Sequence, residues 1–174
     1  KKLRPVMIHS QLLDYDQLDL VKKLEVIPSF FVAHVYHWGD THIKNFGFSR
    51  AARISPAASS LKKEILFTFH QDAPVIEPDM IETIWCAANR ITKSGILLGA
   101  DEQLPVLEAL KAVTIHAAYQ YFEENQKGSI TSGKFADFVI LSDNPLKIEK
   151  ENLRSIKVCY TIKQDRIIYS QSEK

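Results

Sequence analysis

The chain has 174 residues, 45% of them apolar and 25% charged, and its formal net charge is +1. This composition is typical of a globular domain with a buried core, and the balanced charge gives no support for nucleic-acid or membrane partners. No apolar run approaches the roughly 20 residues of a membrane-spanning helix, and no signal peptide is evident. Cys86 and Cys159 form no CxxC motif, so we expect two reduced thiols in a cytoplasmic protein.

Residues 1–125 alternate between strand-like and helix-like segments. Runs rich in β-branched and aromatic residues predict strands at 4–9, 27–35 and 65–70. Apolar residues at helical spacing predict helices at 17–26, 55–64, 77–92 and 106–124. The helix at 55–64 is expected to be capped by Ser55. Strands that alternate with helices indicate parallel βαβ units.

Residues 126–174 are mostly β in character. A strand is predicted at 135–142, and 156–170 is interpreted as a hairpin that turns at residues 164–165. We therefore predict two parts, an α/β part at 1–125 and a small β part at 126–174.

Each of the three predicted strands in the α/β part ends in a side chain that can bind a metal ion. They are His9, His34 and the pair His70 and Asp72. The carboxyl ends of parallel strands meet at one edge of a sheet, so these side chains are expected to converge. Imidazoles and a carboxylate suit zinc, and such a carboxylate could take a proton from a metal-bound water. Taken singly, each residue also has a structural explanation, as a hydrogen-bonded histidine or an aspartate in a turn.

The polar segment 36–55 is interpreted as a loop that determines substrate specificity. Its aromatic residues suggest a partly apolar substrate, with Arg50 or Arg53 as an anion contact, and a packed, solvated lid is the alternative. His37 and His42 in this segment are interpreted as surface residues or substrate contacts. His116, on a predicted helix, is interpreted as a packing residue or an exposed one.

The sequence "GSITSGKFADFVILSDNPL" at 128–146 resembles a signature of the amidohydrolase superfamily. Three upstream segments, "MIHSQ", "FFVAHVYHWGD" and "FTFHQDAPV", are similar in order and spacing to the YtcJ-like branch, amidohydrolase family 3. The resemblance implies a (β/α)8 barrel with a small β-sandwich domain. This chain would supply barrel strands six to eight and the last sandwich strands.

The resemblance also implies a reaction, the hydrolysis of carbon–nitrogen bonds by metal-activated water, and a role for each candidate residue. His9 would ligate the metal, and Asp72 would be both a ligand and the general base. His34 would face the substrate and stabilise a developing oxyanion, while His70 and Trp38 would line the pocket. The cofactor would be a divalent metal, zinc, as one or two ions.

Several elements of the family pattern are absent from these residues. The His-x-His pair of the first strand, the residue of the middle strands that supports the metals and the histidine of the fifth strand are not found, and Ile8 stands where relatives commonly have Glu. The chain is therefore interpreted as the C-terminal portion of a larger hydrolase, inactive alone and partnered by its missing N-terminal portion. A non-catalytic binding module or a self-associating homo-oligomeric scaffold of the same fold is the alternative.

Overall fold

A computed structural model describes residues 3–171, and within that range the chain forms a mixed α/β structure with two three-stranded sheets. The first sheet has the order β1-β2-β3 and its strands are parallel. These strands are β1 (Val6–His9), β2 (Ile27–Phe30) and β3 (Thr68–Phe69). The second sheet is antiparallel, with the order β4-β5-β6. It consists of β4 (Phe138–Leu141), β5 (Val158–Lys163) and β6 (Arg166–Ser170).

Helices connect the strands of the first sheet and follow it along the chain. They are α1 (Leu18–Lys23), α2 (His34–Phe46), α3 (Phe48–Ala51), α4 (Ala57–Lys62), α5 (Met80–Asn89), α6 (Val106–Val113) and α7 (Ile115–Gln120). The strand–helix–strand order at β1-α1-β2 and the parallel pairing confirm the predicted βαβ units. Among the described residues, no helix is long and apolar enough to cross a membrane.

The core is centred on β2, the middle strand of the parallel sheet. All four residues of β2 are buried, as expected for a strand covered on both faces. Phe30 packs on Phe67, with ring centroids 5.9 Å apart, and both side chains are almost fully buried. Burying an aromatic side chain of this size stabilises the fold by about 1.5–3 kcal/mol, so this pair anchors β2 to the segment that leads into β3.

The predicted strand at 27–35 is wrong in its second half, and so is the loop predicted at 36–55. The strand ends at Phe30, a turn follows, and His34 is the first residue of α2. Much of the predicted loop is helical, in α2 and α3. A short apolar run does not distinguish a buried strand from a buried turn, because the same apolar side chains are buried in both cases. Phe31, Val32 and Ala33 are each at most 1% exposed, and the run is apolar for that reason.

Three smaller predictions also differ from the structure. Ser55 does not cap α4: Pro56 is the N-cap, and the buried Ser55 hydroxyl has no hydrogen-bond partner among residues 3–171. The predicted helix at 106–124 is interrupted at Thr114, whose φ of −124° and ψ of −93° separate α6 from α7. The strand predicted at 65–70 is only two residues long and ends before His70.

The hairpin predicted in the β part is confirmed. Gln164 and Asp165 both have left-handed backbone angles, with φ of 48° and 65°, which match the twist of a two-residue hairpin turn. Asp137, before β4, accepts a hydrogen bond of 2.9 Å from the Gln164 backbone N–H. This carboxylate therefore fixes the hairpin turn to the neighbouring strand, which is an architectural role.

Arg154 fixes the β part to the α/β part. Its guanidinium lies between the rings of Tyr36 and Trp85, 3.9 and 3.6 Å from their centroids. It also donates to Glu82 at 3.2 Å, and Glu82 accepts a second hydrogen bond from His37. Stacking of a guanidinium on aromatic faces is favourable where the groups are partly desolvated. The side chain of His37 is thereby committed to this contact between the two parts of the chain.

Arg4 and Glu124 join the beginning of the described chain to the segment after α7. The two side chains form a bidentate pair, with N–O distances of 2.9 and 2.6 Å, and Arg4 also stacks on Tyr119. Hydrogen bonding to Arg4 lowers the pKa of Glu124 from 4.5 to about 2. Because the folded-state pKa is depressed, the pair stabilises the fold above pH 4.5 and loses that effect as the pH falls towards 2.

We therefore expect Glu124→Gln to be less stable than the wild type at pH 6, and the difference to shrink as the pH falls to 3. Urea unfolding at a series of pH values measures this difference. Glu149→Gln, an identical change at an exposed position, serves as the control and should show no such trend. A difference between Glu124→Gln and the wild type that stays constant from pH 6 to pH 3 would contradict the assignment.

Candidate metal-binding site

The carboxyl edge of the parallel sheet brings four of the predicted site residues together. His9 is the last residue of β1, His34 opens α2 just after β2, and His70 and Asp72 follow β3. The His9 ring centroid lies 4.9 Å from that of His70 and 6.5 Å from that of His34. The convergence predicted from the strand ends is therefore observed.

The nitrogen atoms of His9 face two different partners. Nε2 lies 3.7 Å from Asp72 Oδ2, and Nδ1 lies 3.0 Å from His70 Nε2. The other ring nitrogen of His70, Nδ1, is 3.0 Å from the hydroxyl of Ser29 on β2. Both nitrogens of His70 are thus occupied within the chain. The role of His70 in lining the pocket remains a prediction, and only the faces of its ring are left to contact a substrate.

Phe31 forms the floor beneath the three imidazoles. Its centroid is 4.6 Å from that of His34, 5.5 Å from His70 and 6.1 Å from His9, and its side chain is only 1% exposed. An apolar floor holds the rings by packing and lowers the local dielectric. Sequence reasoning missed this residue because it reads as one more apolar residue of a strand.

Three residues at the site have left-handed backbone angles. His9 and Ser10 are consecutive residues with φ of 65° and 47°, and Asp72 has φ of 53°. Residues other than glycine adopt this region at a cost, and such conformations cluster at functional sites. At Ser10, the side-chain hydroxyl donates to the Met7 carbonyl at 2.8 Å, which supports the turn.

Gln71 anchors the loop that carries Asp72. Its side chain is only 4% exposed, accepts a 2.6 Å hydrogen bond from the Asp79 backbone N–H and donates to the Asp79 carbonyl. Because Asp79 in turn caps α5, the loop between β3 and α5 is fixed at both ends. Gln71 lies between His70 and Asp72 in the sequence, and no sequence pattern indicated this role.

His34 is a neutral imidazole at physiological pH. Burial first, and then the neighbouring His42, His9 and His70, lower its pKa to about 4. A neutral imidazole carries one N–H donor, and Nδ1 of His34 lies 3.4 Å from His42 Nε2. His34 can therefore donate a hydrogen bond to a substrate without adding a positive charge beside a cation.

Three further rings follow His34 along one face of α2 at every fourth residue: Trp38, His42 and Phe46. Trp38 packs on His34 with centroids 4.8 Å apart, and His42 stacks on Phe46 at 5.5 Å with an interplanar angle of 4°. Residues four apart on a helix are neighbours, so these rings form a continuous surface that leads away from His9. His42, which the sequence left open as a surface residue or a substrate contact, belongs to this surface.

Two of the observed donors fit a metal ion. Metal–ligand bonds of about 2.0–2.2 Å place two donors of a tetrahedral zinc about 3.4 Å apart, close to the observed 3.7 Å between His9 Nε2 and Asp72 Oδ2. Among the described residues, no group of three or more His, Cys, Asp and Glu side chains is arranged to hold a metal. Within the part of the chain that the structure describes, His9 and Asp72 are therefore two donors at a spacing that suits one metal ion.

A cleft of about 710 Å³ opens elsewhere in the molecule, between α7 and β4. Its lining is mainly apolar and includes Ala117, Tyr121, Val139 and Ile162, and none of the four converging residues contributes to it. The candidate site is therefore defined by side-chain chemistry at the sheet edge.

Comparisons with known proteins identify the family of this chain. Residues 1–169 match the model of the Amidohydrolase family, so the chain belongs to that family. It is 28% identical over 172 residues to the "Putative amidohydrolase YtcJ" of Bacillus subtilis (strain 168), a match that covers 95% of this chain and 32% of that protein. It is also 29% identical over 109 residues to the N-substituted formamide deformylase of Arthrobacter pascens, covering 63% of this chain and 20% of that protein.

Solved structures show the same relationship. An uncharacterized metal-dependent hydrolase from Pyrococcus horikoshii OT3 superimposes with a TM-score of 0.72 and 25% identity, over 83% of this chain and 30% of that one. A second, from Pyrococcus furiosus, has a TM-score of 0.68 and 26% identity, over 82% and 29%. The chain thus spans about a third of the length of YtcJ and less of the deformylase. The likeness to these two metal-dependent hydrolases extends over more than four fifths of this chain.

Proposed function

We propose that this chain supplies a metal ligand, His9, and a general base, Asp72, to an amidohydrolase that cleaves carbon–nitrogen bonds. The observation that carries the proposal is the 3.7 Å approach of His9 Nε2 to Asp72 Oδ2. These two residues belong to the ends of different strands and are 63 positions apart in sequence. Local turn geometry does not require this approach.

The proposed roles follow from the chemistry of the side chains. His9 and Asp72 would hold a divalent ion, zinc in our proposal, which would supply Lewis acidity and lower the pKa of a bound water. Asp72 accepts the proton of the attacking water on its carboxylate, and His34 donates its N–H to the oxygen that gains charge. Phe31 and Trp38 limit water access on the side of α2.

The barrel assignment is part of the same proposal. Three adjacent parallel strands, each with its functional side chain at the carboxyl end, are what strands six to eight of a (β/α)8 barrel would contribute. The carbon–nitrogen bond class is supported by the relative named as an N-substituted formamide deformylase. The remaining ligands would come from the portion of the enzyme that precedes these strands.

The ring surface on α2 suggests the kind of substrate. An apolar or aromatic group attached to the scissile bond could pack along Trp38 and Phe46. Arg50, 5.6 Å from the Phe46 ring, lies at the far end of this surface and is the better of the two proposed anion contacts. The other, Arg53, is already paired with Asp14 at 3.1 Å.

Metal analysis of the complete enzyme tests the proposal. We expect His9→Ala to lose most of its bound metal, because removing a ligand leaves an incomplete coordination shell. His37→Ala is the matched control, since the His37 side chain bonds to Glu82 and faces the β part. The measurement is elemental analysis after gel filtration, together with hydrolysis of an N-formyl amine. Unchanged metal content in His9→Ala would dismiss this ligand and the proposed site.

A further inference from the structure

A continuous chain of contacts connects the buried interior of the parallel sheet to the proposed metal site. It runs from Ser29 Oγ to His70 Nδ1 over 3.0 Å, and from His70 Nε2 to His9 Nδ1 over 3.0 Å. Beyond His9, Nε2 faces Asp72 at 3.7 Å, which exceeds hydrogen-bond distance. This series of contacts therefore ends at Nε2 of His9, which has no hydrogen-bond partner among the described residues.

The contacts of His70 fix its ring more firmly than a pocket-lining role requires. Each nitrogen has one partner, and the partners lie on β1 and β2. Ser29 is only 2% exposed, so its hydroxyl is a fixed internal anchor. Since the ring also packs on Phe31, His70 has little freedom to turn towards a substrate.

The hydrogen bonds that join Ser29, His70 and His9 can run in two directions. In one, Ser29 donates to His70 and His70 donates to His9 Nδ1, which leaves the His9 proton on Nε2. In the other, His9 Nδ1 donates to His70 Nε2, and His70 Nδ1 donates to Ser29. Only the second direction leaves a lone pair on His9 Nε2, the form that a metal requires.

We propose that His70 and Ser29 are positioning residues that hold the His9 ring with Nε2 towards Asp72. When Nε2 binds the metal, His70 Nε2 accepts a hydrogen bond from the Nδ1–H of His9, and Ser29 accepts one from the Nδ1–H of His70. This inference rests on the proposed function, since it assumes that His9 is a ligand. Metal-bound histidines commonly donate their second N–H to a fixed acceptor, and loss of that acceptor costs about 10–100-fold in metal affinity.

Two substitutions at position 70 separate positioning from packing. The amide of glutamine can reach the place of His70 Nε2, whereas the shorter asparagine reaches only the place of Nδ1. We expect His70→Gln to bind zinc within a few-fold of the wild type in the complete enzyme. His70→Asn keeps a partner for Ser29 but leaves His9 Nδ1 without one, and its zinc affinity should fall by about 10–100-fold. Competition with a chromophoric chelator measures both constants.

A second measurement does not depend on metal. The chain has six histidines, so ¹⁵N-labelled imidazoles can be assigned by substitution. We expect a scalar coupling across the hydrogen bond between His9 Nδ1 and His70 Nε2 in the metal-free chain, and its loss in His70→Asn. Absence of the coupling in the wild type, or equal zinc affinities for the Gln and Asn variants, would overturn the inference.

The outcomes distinguish this inference from the proposed function. If His9→Ala loses its metal while His70→Asn binds zinc like the wild type, His9 is a ligand but His70 does not position it. If His9→Ala keeps its metal and the coupling is present, the contact between the rings exists but serves no metal, and both the ligand assignment and the positioning role fail.

Discussion

Asp72→Asn should lower kcat of the complete enzyme by about 10²–10⁴-fold, the usual contribution of a general base. Asparagine has nearly the same size, and it tolerates the left-handed backbone at this position, where φ is 53°. The change therefore removes the proton acceptor without forcing the loop to move. Turnover of an N-formyl amine at saturating substrate and saturating zinc measures the loss, since excess zinc compensates for a weaker ligand.

Asp143→Asn is the matched control for this prediction, because it makes the same chemical change on an exposed turn. It should leave turnover unchanged, and circular dichroism should show that both variants keep the wild-type fold. Near-normal turnover in Asp72→Asn, with the fold preserved, would mean that another group takes the proton.

The convergence of His9, His70 and Asp72 could be predicted because it follows from topology. Parallel strands place their carboxyl ends at one edge of the sheet. The polar residues at the ends of these apolar strands are therefore expected at that same edge. The same argument succeeded for His34 only in part. His34 does lie beside His9, but as the first residue of a helix, since the apolar run before it includes a buried turn.

The residues that support the site could not be found in the same way. Ser29 is one small polar residue inside a buried strand, and its contact with His70 joins positions 41 apart in sequence. Gln71 acts through a backbone group eight residues later. Such roles depend on distances that no local pattern encodes. Hydrophobic periodicity records which face is buried, and it does not record which polar group finds which partner.

The segment 36–55 shows a different limit of prediction from sequence. Residues 36–55 are polar enough to predict a loop, yet α2 covers most of the first half. The helix has an aromatic face formed by Trp38, His42 and Phe46, with polar residues elsewhere. Only Val35 and Gly39 of α2 are buried, so the helix is less apolar than a core helix and its segment resembles a loop in sequence.

The largest stability effect is expected at Arg90, the residue that ends α5. Its guanidinium is fully buried and donates to backbone carbonyls of two segments, at 2.9 Å to Leu98 and 2.9 Å to Ile54. Burial lowers the pKa of Arg90 to about 10, so the group remains charged at pH 7, and attraction to the buried carboxylate of Glu102 partly opposes this shift. Removing one member of a buried charged network typically costs about 3–5 kcal/mol.

Arg90→Met should therefore lower the free energy of unfolding by about 3–5 kcal/mol, a large share of the total for a domain of this size. Methionine keeps the apolar stem but leaves the carbonyls of residues 54 and 98 without their donor. Arg53→Met is the control, because Arg53 is exposed and its ion pair with Asp14 should contribute no more than about 1 kcal/mol. Urea unfolding followed by tryptophan fluorescence measures both changes.

The effect of Arg90→Met should extend to the candidate site, because Ser55, in the segment that Arg90 holds, donates its N–H to the Gln11 carbonyl at 2.9 Å. Gln11 follows the strained residues His9 and Ser10, whose left-handed angles persist only while the surrounding structure holds them. We expect the coupling between the His9 and His70 rings to weaken in Arg90→Met before the chain unfolds. An Arg90→Met chain as stable as Arg53→Met would show that the stem, and not the guanidinium, stabilises this region.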